Sequence, residues 1–136
     1  MTVPEINGLN RDANATVLVV EDDQPLLEFF SALLRREGYR ILAAANGVEA
    51  LAIADSNPGD RIDILLSDVA MPYMSGIQLA ERLRANRPEI RVLLISGLPK
   101  QEILKRCGPS FTHHFLPKPC SVSELAGKVR QLAAAV

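Results

Sequence analysis

The sequence predicts an α/β fold, one doubly wound parallel sheet of five strands with helices on both of its faces. Three observations predict it. Runs such as Thr16-Val17-Leu18-Val19-Val20 and Arg91-Val92-Leu93-Leu94-Ile95-Ser96 are aliphatic and β-branched without polar alternation, as strands are when both faces are covered. Between such runs lie stretches of ten or more residues with apolar positions three, four and seven apart. The strand–helix alternation repeats five times over roughly 120 residues, enough for one domain and too few for two.

Residues 1–15 are polar, carry Pro4 and Gly8, and show no periodicity, so they read as a flexible N-terminal leader before a domain over 16–134. The first strand is expected at Thr16–Val20. Asp23 then caps a helix with Pro25 in its first turn. Leu26, Phe29, Phe30, Leu33 and Leu34 form its apolar positions, and Gly38 ends it. Tyr39 to Ala44 is the second strand. Asn46 starts a helix to about Ser56, with Val48, Leu51 and Ala52 as its apolar side, and Asn57-Pro58-Gly59-Asp60 breaks the chain. Ile62 to Ser67 is the third strand, with Asp68 just past its end. Residues 77–86 form a helix with Ile77, Leu79, Ala80 and Leu83 inward, stopped at Arg87-Pro88. Arg91 to Ser96 is the fourth strand and 100–107 a short helix. Phe115-Leu116 belongs to the fifth strand, which stops at Pro117-Lys118-Pro119. Ser121 or Ser123 caps a last helix reaching about Ala133.

Composition excludes several classes of function. The hydrophobic fraction is 48%, but aromatics are 4% and Trp is absent, so the core is built from Leu, Ile, Val and Ala. A net charge of -1 argues against direct nucleic-acid binding through phosphate contacts. Two cysteines, Cys107 and Cys120, are too few for a disulfide scaffold, match no tight metal motif, and read as small semi-buried residues. No basic segment precedes an apolar run at the N-terminus, and no apolar stretch reaches about 18 residues, so neither a signal peptide nor membrane insertion is expected. The expected location is cytoplasmic.

In a parallel sheet of this kind, ligands bind outside the carboxyl ends of the strands, near the point where strand order reverses. Four strand ends carry chemistry there: Glu21, Asp22 and Asp23 after the first, Asp68 after the third, Ser96 at the fourth and Lys118 after the fifth. Carboxylates brought together repel, and Lys118 or a divalent ion would relieve them. Hard oxygen donors without His or Cys favour Mg2+, with Mn2+ a second choice, over zinc. A carboxylate beside such a cation can attack a phosphoryl group and form an acyl phosphate, while Lys118 and the metal neutralise the equatorial oxygens and Ser96 donates a hydrogen bond. A metal-only site, or a set of acidic helix caps, remains the alternative at this point.

The segments VLVVEDD (17–23), DILLSDVAMPYMSGIQL (63–79), LLISG (93–97) and FLPKP (115–119) resemble the receiver domains of two-component response regulators, over about Thr16 to Val129. The D-x-x-M-P-x-M-x-G segment and the distant K-P are specific in combination. The resemblance implies a flavodoxin-like sheet of order 2-1-3-4-5. It implies that Asp68 is the phosphoacceptor and Asp22 a direct metal ligand, with Glu21 acting through water and the backbone carbonyl of Ala70 completing the set. Ser96 would follow the phosphoryl group, Lys118 would pair with it, and Phe115 would be the aromatic switch position. A sensor histidine kinase or histidine phosphotransfer protein would donate the phosphoryl group. The domain would catalyse that transfer and its own dephosphorylation, without being an enzyme for a separate metabolite, and would control a downstream protein target as a monomer or weak dimer.

Two features depart from the family pattern. Cys107 to His114 replaces the usual small-residue approach to the fifth strand, and Gly108-Pro109 is expected to end the preceding helix early. Ala70 stands where a longer side chain is common, and alanine leaves the pocket open. His113 and His114 read as ordinary loop or strand-entry residues, and since adjacent side chains in a strand point opposite ways, joint metal binding by the pair is not expected. Met71 and Met74 read as loop packing, and Tyr73 as an exposed residue. The chain reads as a stand-alone receiver or as a module of a hybrid kinase. Other readings are an interaction module working without phosphorylation and, less favoured, a metal-dependent phosphohydrolase, which would need a substrate pocket.

Overall fold

The computed structural model describes residues 15–107 and 114–134. Its elements are β1 (Thr16–Val20), α1 (Gln24–Arg36), β2 (Arg40–Ala44), α2 (Gly47–Ser56), β3 (Ile64–Asp68), α3 (Gly76–Asn86), β4 (Arg91–Ser96), α4 (Lys100–Cys107), β5 (His114–Pro117) and α5 (Val122–Ala134). The five strands are parallel, in the order β2-β1-β3-β4-β5. This is the expected doubly wound sheet.

The apolar runs of β1 and β3 are buried along their whole length, and β4 is buried after Arg91. Alternate residues of these strands feed two separate cores. Leu18, Val20, Leu65, Val92 and Leu94 face α2, α3 and Ile103 of α4. Val17, Val19, Ile64, Leu66, Leu93 and Ile95 face α1 and α5. A strand flanked by two such layers has no polar side to show, which is why its sequence does not alternate. The edge strands β2 and β5 are only partly covered.

Caps set the helix boundaries. Asp23 accepts a hydrogen bond from the Leu26 N–H, Asn46 from Glu49, and Ser75 from Gln78, whose side chain accepts in return from the Ser75 N–H. Ser121, rather than Ser123, caps α5, in a reciprocal pair with Glu124. After α1, Gly38 takes a φ of 100°. Its N–H donates to the Arg35 carbonyl and that of Tyr39 to the Leu34 carbonyl, closing a Schellman motif that favours glycine.

Several expectations are corrected in detail. On α1 the buried residues are Leu27, Phe30, Ser31 and Leu34, while Phe29 is 49% exposed. On α2, Ala50 and Ala54 are buried and Val48 and Ala52 are exposed. The small alanines let that helix lie close to the sheet, a contact that hydrophobicity alone does not signal. The predicted face of α3 is the observed one, with Gly76 added. β3 begins at Ile64, because the buried Asp63 side chain accepts from the Thr16 N–H and pairs with Arg61, and the strand includes Asp68. Ala15 is buried and its carbonyl accepts from the Arg40 N–H. The remainder of the expected leader, and the Gly108–His113 part of the departing segment, lie outside the described residues.

Candidate functional site: an acidic rim closed by lysine

The carboxyl ends of β1, β3, β4 and β5 meet at one edge of the sheet. Glu21 follows β1, and its N–H donates to the Ala44 carbonyl at the end of β2. Its carboxylate is 2% exposed, and one oxygen accepts from the Asp23 N–H. Asp68 closes β3 and is 8% exposed. Its successor Val69 donates to the Ile95 carbonyl, and Lys118 donates from its backbone to the Ser96 carbonyl, so β3, β4 and β5 are tied together at the rim.

Lys118 closes the cluster. Its Nζ lies 3.0 Å from Glu21 Oε1 and 3.1 Å from Asp68 Oδ2. Carboxylate oxygens of Glu21, Asp22 and Asp68 all come within 4.8 Å of one another, with Asp22 exposed to solvent. Two buried carboxylates therefore share one ammonium, with the Asp22 carboxylate beside them. Burial, with a smaller contribution from the charge of Asp68, holds the Glu21 carboxyl above its ordinary value against the opposing pull of Lys118. Burial alone would lower Lys118, but its hydrogen bonds to Glu21 and Asp68 and their charges outweigh it and hold the ammonium above the ordinary lysine value. The donor set fits a hard divalent cation: oxygens only, two buried carboxylates to fix the ion and one exposed to admit its waters. Ala70, whose carbonyl was expected in this set, is exposed on the loop leaving β3.

The other expected residues stand nearby with different partners. Ser96 is buried, and its Oγ accepts from the Leu98 N–H at 2.9 Å. Phe115 is half-buried on β5 opposite Leu94 and packs on the core shared with α2, α3 and α4. Cys120 is a half-buried free thiol, raised above its ordinary value by burial and then by the charge of Glu124. Tyr73 is 83% exposed, Met74 is buried, and His114 is exposed. A hollow of about 800 Å³ lies away from this rim, at the opposite end of the sheet, lined in part by Asp60, Arg61, Arg87 and Arg91.

Sequence reasoning missed two supports of Asp68. Ser67 donates its hydroxyl to the Asp68 carbonyl. Gly76 sits so close to that carbonyl that a Cβ there would collide with it. The glycine eight positions after the aspartate was visible as part of a motif, but its reason is a contact between two backbones that no single-chain pattern displays.

Comparison with known proteins agrees with this construction. Residues 17–130 match the family model of the response regulator receiver domain. The chain is 37% identical over 119 residues to a sensor kinase CckA of Brucella abortus, covering 88% of this chain and 12% of that kinase. The solved receiver domain of the hybrid histidine kinase CckA is 37% identical, with a TM-score of 0.73 over 88% of this chain and 99% of that one. The response regulator TrrA of Thermotoga maritima, solved in complex with Mg2+ and BeF, is 27% identical with a TM-score of 0.71, covering 87% and 98%. The acidic rim, the lysine that closes it and these matches place the chain in the response regulator receiver domain family, the phosphoacceptor signalling modules of two-component systems.

Proposed function

We propose that Asp68 accepts a phosphoryl group from a phosphohistidine on a sensor kinase or phosphotransfer protein, with a divalent cation, Mg2+ by preference, held at the acidic rim. One observation carries this reading: the Lys118 ammonium bridges the buried Glu21 and Asp68 while Asp22 stays open to solvent. Asp22 and Asp68 would hold the ion directly, the Ala70 carbonyl would join them, and Glu21 would act through water. An ion held there would supply positive charge to offset that of the phosphoryl oxygens. A carboxylate oxygen of Asp68 attacks phosphorus in line with the departing imidazole, and Lys118 turns from Asp68 Oδ2 to a phosphoryl oxygen.

The phosphoryl group brings added negative charge and strong acceptors. Ser96 Oγ gives up its bond from the Leu98 N–H and donates to a phosphoryl oxygen instead. Phe115 moves into the space that opens, and the altered face is read by a downstream protein. The TrrA complex with Mg2+ and BeF supports the ionic part of this reading by analogy.

The test is intact-mass measurement after incubation with a small acyl-phosphate donor and Mg2+. Wild type gains one phosphoryl group, chelation of the metal stops the gain, and Asp68→Ala shows none. A wild-type chain that is folded, binds Mg2+ and gains nothing refutes the reading.

A further inference from the structure

The loop between β3 and α3 carries the Ala70 carbonyl, yet most of it faces solvent. Ala70, Pro72 and Tyr73 are exposed, and between Pro72 and Ser75 only Met74 is buried. A tight turn sends it inward. Tyr73 adopts a φ of 72°, and the Met74 N–H donates to the Pro72 carbonyl at 2.8 Å across it. A non-glycine residue held in the left-handed region needs surroundings that enforce it, and the buried Met74 side chain is the part of this turn that the core grips.

What receives Met74 is the start of α2. A Cβ built on Gly47 would lie 2.9 Å from Met74 Sδ, 3.1 Å from its Cγ and 3.2 Å from its Cβ. The first two atoms could rotate away, but the Cβ is fixed to the loop backbone. The φ of Gly47 does not lie in the left-handed region, so its backbone admits an L residue and only the contact with Met74 excludes a side chain. Nor is the slot free to open. Asn46 accepts from the Glu49 N–H, and Glu49 Oε1 accepts from the Ala45 N–H, which fixes the first turn of α2. Two residues before the Asn46 cap, the Ala44 carbonyl receives the Glu21 N–H. The turn between β2 and α2 therefore touches both halves of the rim: Glu21 through a backbone hydrogen bond, and the Ala70 loop through Met74.

We infer that Gly47 is a positioning residue for the cation site: its missing side chain seats Met74 and so holds the Ala70 carbonyl in register with Glu21 and Asp22. This rests on the metal reading given above. Neither Gly47 nor Met74 would touch the ion. They act through the loop, as outer-shell groups do when they fix a ligand's place.

The experiment is calorimetric titration of the full chain with Mg2+, for wild type, Gly47→Ala, Met74→Ala and the double variant. Each is first checked for cooperative thermal unfolding, and amide exchange of residues 69–76 is followed without metal. Gly47→Ala weakens Mg2+ binding roughly ten-fold and speeds exchange in the loop. Met74→Ala, which removes the anchor, does the same. In the double variant the methyl group introduced at position 47 occupies space vacated by Met74 Sδ, so the two losses do not multiply. Wild-type affinity and wild-type exchange in a folded Gly47→Ala chain overturn the inference, since a packing role alone moves the melting point and leaves the ion untouched. If Gly47→Ala does not fold, unchanged affinity in Met74→Ala overturns it equally. Failure of wild type to bind Mg2+ overturns the metal reading, and this inference with it.

Discussion

Lys118 Nζ stands 3.1 Å from Asp68 Oδ2, a contact between residues fifty positions apart that the sheet order creates. The same nitrogen also holds Glu21. A single ammonium is thus the counterion for two buried carboxylates.

Replacing Lys118 by Met leaves both carboxylates without it. In metal-free buffer the unfolding free energy falls by about 2 kcal/mol, the scale of a charge-assisted hydrogen bond lost at a partly open site. Added Mg2+ then stabilises the variant more than it stabilises wild type, because the ion takes over the lysine's neutralising role. Urea unfolding with chelator and with Mg2+ measures both effects. A variant as stable as wild type without metal contradicts the bridge.

The two perturbed groups of the rim, Glu21 and Lys118, make stability fall as pH rises, in two windows. Between its ordinary 4.5 and its higher value in the fold, Glu21 keeps a proton that the unfolded chain has released. Its contribution therefore declines as pH climbs through that window. Lys118 contributes in full below its ordinary 10.5 and loses its contribution as pH passes its raised value. Metal-free urea unfolding of wild type and Glu21→Gln from pH 4.5 upward gives a stability difference, wild type minus variant, that falls with pH. A difference that grows would contradict the direction assigned to Glu21.

Ser96→Ala separates two roles of one hydroxyl. The Leu98 N–H loses its acceptor, which costs about 1 kcal/mol. Phosphoryl uptake from a small donor slows by roughly ten-fold, less than the effect of a donor already aimed at the reacting group, since Ser96 must first release Leu98. Rates followed by intact mass test this, and unchanged uptake would remove Ser96 from the chemistry.

On α1, Leu27→Ala costs about 3 kcal/mol, within the range of buried leucine truncations, while Phe29→Ser changes stability by less than about 0.5 kcal/mol. Equal losses in thermal or chemical unfolding would restore the face expected from periodicity.

That contrast marks where the sequence was legible. The strands of the central sheet were, because burial on both faces removes alternation from runs rich in aliphatic and β-branched residues. The face of α3 was legible too, since Ile77, Leu79, Ala80 and Leu83 repeat cleanly. α1 and α2 were not. In α1 two aromatics adjoin and only one faces inward. In α2 the buried residues are Gly47 and two alanines, Ala50 and Ala54, and a larger Val48 is exposed. Of the site, residue types and order identified Glu21, Asp22, Asp68 and Lys118 as groups of one rim. What the order of residues did not display was how they are held: the Leu98 bond to Ser96, Ser67 and Gly76 against the Asp68 carbonyl, and Met74 seated on Gly47. Each is a contact made by a backbone group or a missing side chain, and neither leaves a periodic trace.

The central claim is that Asp68 itself takes the phosphoryl group. Borohydride reduces an aspartyl phosphate to homoserine, so treating the phosphorylated chain and mapping its peptides by mass locates the acceptor. The account predicts homoserine at position 68 and nowhere else. Homoserine at position 22, or phosphate retained on His114 with Asp68 unreduced, would contradict it.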